Sequence, residues 1–371
     1  MSQGHRLVGL DVARCLALLG MVATHVLDER TPAGDLTFGQ WLAGGRASAL
    51  FAVLAGVSLA LMTREPLRGA PLARRSAAIA VRAVLIGLLG LVLGGLETGI
   101  AVILAYYGLL FLLGLPFTLL RLRALVVLAV GWVVLAPVAS HLIRPHLPPR
   151  GFENPSFGQL LDPGRLASEL LFTGYYPVVP WLAYLLVGLA LGRADLRDRS
   201  LLTALAGGGL GVALLATQVS RTLVDPVVAA ENATGMFGTT PTGGDWSWLL
   251  VVAPHSATPF DLAQTIGSAV CVVATCLLLA RVLPRAATVA LAVVFGAGTM
   301  TLTLYSLHVV MRTPEVWPPE DPTTYADHVL ALLAIGAAFV LLGRRGPLET
   351  VVGLPVRWAK SRDGPSRRGR P

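Results

Sequence analysis

The sequence is poor in charge, in lysine and in cysteine. Only 13% of its 371 residues are Asp, Glu, Lys or Arg, about half the share of an average soluble domain. So few charges cannot cover a globular surface, which excludes a soluble enzyme of this length. Lys360 is the single lysine, so arginine supplies 28 of the 29 basic residues. The three cysteines, Cys15, Cys271 and Cys276, all fall inside apolar blocks. An odd count without CxxC or zinc spacing excludes a disulfide framework, and Cys271 and Cys276 read as small buried hydrophobes. The seven histidines are dispersed and form no cluster with ligand spacing, so no metal site is expected.

Apolar sequence is abundant instead: 54% hydrophobic residues and a mean hydropathy of +0.70. About 20 apolar residues cross a bilayer. Blocks near that length recur about ten times, at 7–27, 47–62, 76–96, 99–120, 124–143, 176–192, 200–219, 260–280, 286–311 and 327–343. The predicted fold class is therefore all-α, a polytopic helical bundle in a membrane over residues 1–343. A basic tail, 344–371, follows and is expected to be disordered at its end. Asp11 and Arg14 interrupt the first block and no A-x-A site follows it, so an uncleaved helix is expected rather than a signal peptide.

The placement of charge orients the bundle. With the N-terminus cytoplasmic, the inner segments carry 20 Arg/Lys and 5 acids, whereas the outer loops carry 6 Arg and 14 acids. That asymmetry follows the positive-inside rule and predicts a multi-pass cell-membrane protein with both termini in the cytoplasm. The pI near 10 is then an orientation signal touching anionic lipid, and no nucleic-acid partner is expected. Two outer loops are long, 144–175 with a short helix expected near 163–172, and 221–259 with Asn232, Trp246, Trp248 and His255.

Charges at bilayer depth cost at least ~2.5–3.5 kcal/mol on insertion scales, so each one invites a functional explanation. Asp11, Arg14 and Arg82 lie within the apolar blocks and Arg46 stands at the start of the second one, with His25, His141, Asp261 and His308 near block ends. Asp11 and Arg14 stand at i, i+3, where opposite charges pair. Arg14 and His25, eleven residues apart, fall on one helix face about 16 Å apart along the axis. One stripe of the first helix thus joins an anion-pairing site to a titratable imidazole. A structural ion pair and an interfacial histidine would produce the same stripe.

The run RLVGLDVARCLALLGMVATH, residues 6–25, resembles the opening of the transmembrane acyltransferase superfamily. Its first helix reads R-x3-L-D-x2-R-G, with a histidine at R-x10-H spacing in acyltransferase-3 proteins. Arg6, Leu10, Asp11, Arg14 and His25 fit; Cys15 stands where glycine is usual. Residues 45–61 resemble that superfamily's second helix. YYPVVPWLAYLLVGLALGR (175–193) and TLTLYSLH (301–308) resemble bacterial heparan-α-glucosaminide N-acetyltransferase-like proteins. RRGPLE (344–349) resembles the end of DUF418 (YeiB-like) membrane proteins.

The resemblance implies transfer of an acetyl or other short acyl group from acetyl-CoA, as a donor substrate, to a hydroxyl or amine of a sugar or cell-envelope acceptor. No permanently bound cofactor is implied. His25 would be the base or acyl carrier, Asp11 would hold Arg14, and Arg14 would meet CoA or developing negative charge. Arg74, Arg75 and Arg82 become further CoA-binding candidates, although an inner-leaflet anchor explains them equally well. Arg46 is a candidate acceptor-binding residue or a snorkelling one. His308, expected at the depth of His25, is a second polar wall or an interfacial side chain. Animal heparan acetyltransferases carry their key histidine in the first outer loop. Residues 28–44 contain none, so the role passes to His25. The rival reading is a proton-coupled transporter or flippase for a polar or lipid-linked metabolite. It would be favoured by internal repeats or broken helices, neither of which the sequence displays. A non-enzymatic membrane assembly is the third alternative.

Overall fold

In lipid, a backbone has no water to satisfy its N–H and C=O groups, so apolar blocks of this length must satisfy them internally as helices. The computed structural model, described over residues 7–151, 153–225, 228, 245–316 and 322–362, is an all-α bundle with no strand among those residues. Its helices are α1 (Val8–Val26), α2 (Phe38–Ala43), α3 (Arg46–Met62), α4 (Gly69–Gly94), α5 (Leu104–Gly114), α6 (Leu122–Ile143), α7 (Pro163–Ser168), α8 (Val178–Arg193), α9 (Arg199–Leu223), α10 (Pro259–Val282), α11 (Arg285–Val294), α12 (Thr301–Met311), α13 (Tyr325–Leu341), α14 (Pro347–Val352) and α15 (Leu354–Arg362). Among the described residues, seven helical segments are long and apolar enough to cross a membrane. Counting the bent pair Pro163–Thr173 and Val178–Arg193 as one span makes eight.

Eight of the ten predicted blocks are single helices, seven of them within four residues of the expected bounds, while α4 begins seven residues earlier than block 76–96. The fourth and ninth are not. Block 99–120 contains only the 11-residue α5, because Pro116 opens a 3-10 turn, Pro116–Leu119, and a proline has no N–H to continue the α-ladder. Its N-terminal part is irregular, and side chains satisfy it. Val102 N–H donates to Asn154 Oδ1 (2.8 Å), Asn154 Nδ2 donates to the Ile100 carbonyl (2.8 Å), and Ile103 N–H donates to the Tyr305 hydroxyl (3.2 Å).

The ninth block corrects the expectation of unbroken helices. It divides into α11 and α12 around the 3-10 turn Gly296–Thr299. The break is a close approach to α1: a Cβ added at Gly298 would lie 1.8 Å from the Asp11 carbonyl oxygen. The break frees the first amides of α12, and Glu349 closes them. Its Oε1 accepts from Leu302 N–H (2.7 Å) and Thr303 N–H (3.1 Å), and its Oε2 from the Thr303 hydroxyl (2.5 Å). A carboxylate at a helix N-terminus also complements the macrodipole. Thus α14 and α15, in the basic segment, fold back against α12 and α4. Residues 363–371, the predicted disordered end, lie outside the described residues, as does Asn232.

Without a hydrophobic drive between helices in lipid, close packing of small residues holds them together. The α3–α8 contact is the clearest case: Gly56 and Gly188 face each other so closely that a Cβ on Gly188 would meet the Val53 carbonyl at 2.0 Å. α6 and α9 instead turn Val127, Val130, Leu135, Leu214 and Leu215 outward, the side chains a bilayer covers. The expected helix near 163–172 is α7 with a π-helical turn, Glu169–Thr173. That segment leads to Gly174, Tyr175 and Tyr176, which line the same cavity as His25 at the end of α1.

Candidate functional site at the histidine end of the first helix

The polar side chains of α1 meet different partners at its two ends. At one end Arg14 Nη1 donates to Asp11 Oδ1 at 2.9 Å, and Nη2 donates to the Ser58 hydroxyl of α3 at 3.0 Å. Ser58 in turn donates to the Leu54 carbonyl (2.7 Å). Asp11 is buried at 6% exposure, and its backbone is sealed by Gly298. Arg82 of α4 lies in electrostatic range of both Arg14 and Glu349.

At the other end, eleven residues along the same helix, the polar partners are histidines. His25 Nδ1 and His308 Nε2 lie 3.1 Å apart, with the two rings nearly parallel at 3°. His308 is fully buried. Its Nδ1 in turn lies 3.3 Å from Nδ1 of His328, on the first turn of α13. Three imidazoles from α1, α12 and α13 therefore form one hydrogen-bonded row.

His25 faces a cavity of about 620 Å³. Gln40 of α2 lines it and is fixed by its Nε2, which donates to the Thr24 carbonyl (3.1 Å). Glu29, Arg150, Glu169, Tyr175, Tyr176, His255 and Arg312 also line it. Both long connections contribute: Arg150 stacks over the Tyr175 ring at 4.9 Å, and the His255 ring lies 4.6 Å from Tyr175 and 5.3 Å from Tyr176. His255 holds φ at +63°, a left-handed conformation that costs on the order of 1–3 kcal/mol and persists only where the surrounding packing enforces it. Burial, together with the nearby charges of Arg150 and His25, pushes the His255 imidazole down to about 3. Its buried Nδ1 has no hydrogen-bond partner among the described residues.

The remaining predicted site residues separate from this cavity. Arg46 lies beside Trp41, donating to its carbonyl and covering its ring at 6.0 Å, and is not among the lining residues. Arg74 and Arg75 belong to the first turns of α4, where Arg75 donates to the Glu65 carbonyl at 2.6 Å. Of the other ionisable residues singled out, His141 is buried 5.2 Å from the Trp246 ring. Asp261 accepts from Ala257 N–H (3.0 Å) and tightens the turn that carries His255. Among the described residues no group of three or more His, Cys, Asp or Glu has metal-holding geometry.

Comparison with known families supplies the assignment. The model of the heparan-alpha-glucosaminide N-acetyltransferase catalytic family matches residues 6–220, more than half the chain. The chain belongs to that family. It is therefore a member of a family of membrane-embedded acetyltransferases, and the match includes α1 with Asp11, Arg14 and His25, and the Arg150–Tyr176 side of the cavity. Among curated proteins no match is found. In this family member, His255, His308 and His328 all stand beyond the matched segment.

Sequence reasoning passed over His328, and gave His255 no role beyond its place in a long loop. A signal for His328 existed: it sits at the very start of the tenth apolar block, as His308 sits near the end of the ninth. Two histidines at adjoining ends of consecutive spans lie at one depth. Nothing comparable marks Arg150 or His255, whose approach depends on loop paths.

Proposed function

We propose that the protein transfers an acetyl, or other short acyl, group from acyl-CoA to a hydroxyl or amine of a carbohydrate or other cell-envelope acceptor. In this reading it lies in the cell membrane with both termini cytoplasmic. The observation that carries the proposal is the position of His25. It is a half-buried imidazole on a cavity wall, with one nitrogen engaged by His308 and the ring's other edge left for a ligand. A base needs that arrangement: a fixed ring within reach of the proton it removes. The polar lining, with the tilted rings of Tyr175, Tyr176 and His255 beside Gln40, Glu29 and Arg150, suits a hydroxyl-rich acceptor.

The reaction follows simply. His25 takes the acceptor proton as the acceptor oxygen or nitrogen attacks the thioester carbonyl. The tetrahedral oxyanion collapses, and the thiolate leaves. An acyl-His25 intermediate is the two-step version of the same chemistry. Arg14, held by Asp11 and Ser58, keeps N–H donors for a phosphate or for developing negative charge. The gap of about 16 Å between Arg14 and His25 suits a long donor such as a CoA thioester, entering from the Arg14 end.

One observation favours the carrier reading, the break between α11 and α12. Against it, the helix N-terminus exposed by that break is filled by the chain's own Glu349 rather than left for a transported ion. Sealed vesicles containing the protein separate the two readings. Labelled acetyl-CoA supplied on the side of the termini should acetylate glucosamine-terminated oligosaccharide enclosed on the other side. Movement of intact oligosaccharide across the membrane without acetylation would favour the carrier.

A further inference from the structure

The row of three histidines extends past what a base requires, since a single hydrogen-bond partner would orient His25. Each imidazole of the row uses a ring nitrogen on its neighbour: His25 Nδ1 with His308 Nε2 at 3.1 Å, and His308 Nδ1 with His328 Nδ1 at 3.3 Å. His308 is at 0% exposure and His328 at 1%. The nitrogens point at one another in sequence rather than converging on a point, which is a relay geometry and not a metal-holding one. The charged groups facing the row are Arg312, at the end of α12, and Asp327, which precedes His328.

We propose that His25, His308 and His328 form a proton relay in which the buried His328 sets the tautomer of His25 and receives the proton that His25 removes from the acceptor. The inference rests on the acyl-transfer reading above. A neutral imidazole carries one N–H and one bare nitrogen, so each hydrogen bond in the row fixes the next. With Nδ1 of His328 accepting, His308 must donate from Nδ1 and accept at Nε2. His25 must then donate from Nδ1, which leaves its Nε2 bare toward the acceptor. The tautomer two residues away thus decides whether the cavity meets a base.

The proton balance is closed within the reaction. The acceptor's O–H or N–H proton goes to Nε2 of His25 while a new bond forms from that oxygen or nitrogen to the thioester carbon. The His25 Nδ1 proton shifts to Nε2 of His308, and the His308 Nδ1 proton shifts to Nδ1 of His328. The cation then rests on His328, two rings from the reacting atoms. As the carbon–sulfur bond breaks, the row runs backward and Nε2–H of His25 protonates the departing thiolate sulfur. The three rings return to their starting state, and acyl acceptor and free thiol are the products.

His308 and His328 are positioning residues in this scheme, and the test reads more than activity. Full-length protein with ¹⁵N-labelled histidine, reconstituted in lipid nanodiscs, reports the His25 tautomer, with its signals assigned by their loss in His25→Gln. Wild type should show one tautomer, protonated on Nδ1. His328→Phe removes the acceptor at the far end and should populate both tautomers of His25. His328→Asn keeps an acceptor oxygen, so it should preserve the tautomer. Having no basic nitrogen to take the proton, it should lower kcat tenfold or more for acetyl transfer to glucosamine, with KM changed less than twofold. The same variant should convert a bowed proton inventory in H₂O/D₂O into a linear one. An unaltered His25 tautomer in folded His328→Phe, or wild-type kcat in His328→Asn, overturns the relay. Full transfer activity in His25→Ala would instead overturn the underlying reading of His25 as base, so the two failures are distinguishable.

Discussion

The two ends of α1 spend their polar groups in opposite ways. Around Asp11 and Arg14 the partners are near and fixed: a carboxylate, a hydroxyl and the backbone of Gly298, with the Arg14 side chain 23% exposed. Around His25 the partners form an open-ended row, and one member faces a cavity of about 620 Å³. The first arrangement resembles a fastening that holds α1, α3 and the helix break together. The second stores bonding capacity that the resting fold does not use. The difference teaches that a charge inside the membrane is not itself a catalytic signal. What its remaining lone pairs or protons face decides the matter.

Substitutions on the two ends should therefore fail differently, and the largest effect belongs to His25. His25→Ala should lower acetyl transfer by 10²-fold or more, the usual contribution of a positioned base, with the melting temperature nearly unchanged. Steady-state transfer assays beside thermal unfolding check both halves of that statement. Asp11→Ala should reverse the pattern. Removing one partner of a buried ion pair costs about 3–5 kcal/mol, and this should appear as a large fall in thermal stability of the detergent-solubilised protein. An Asp11→Ala protein as stable as wild type would show that the pair does not fasten the bundle.

His255 tests whether the cavity end is tuned by burial. Its imidazole is held at about 3 in the fold, against about 6.5 for the unfolded chain. The native state thus disfavours the protonated form. The stability this contributes is fully present above pH 6.5 and is lost as pH falls from about 6.5 toward 3, where the unfolded chain binds the extra proton. The loss should reach roughly 3–5 kcal/mol at full titration, and His255→Gln should flatten the melting temperature over that window. Gly298→Ala is expected to be next in size. Its new methyl group collides with the Asp11 carbonyl, and overpacking of this kind costs about 1–3 kcal/mol. Arg74→Gln should have the smallest effect, less than twofold on transfer, because the α4 start lies away from the cavity lining.

The sequence displayed most of the fold and about half of the site's logic. Blocks 7–27, 76–96, 124–143, 200–219 and 260–280 are legible because lipid leaves an apolar stretch no alternative to a helix. The break at Gly296–Thr299 is not legible, since glycine is common in intact membrane helices and only the approach to Asp11 makes Gly298 a point of interruption. On α1, helical arithmetic placed Asp11, Arg14 and His25 on one stripe, because those residues share an element. The alternation of spans put His308 at the depth of His25, and the nearest nitrogens of the two rings lie 3.1 Å apart. Neither could place Arg150 or His255. Those residues reach the cavity through irregular chain, where no periodicity carries information and His255 itself holds a left-handed φ.

Proton chemistry is assigned to the histidine end, and fastening together with donor binding to the charged end. Reconstituted wild type, His25→Ala and Arg14→Ala, each given labelled acetyl-CoA, should be compared for donor binding and for label transferred to glucosamine. The account predicts that His25→Ala binds the donor like wild type and transfers almost none of its label, whereas Arg14→Ala binds the donor more weakly. Wild-type transfer by His25→Ala would contradict it.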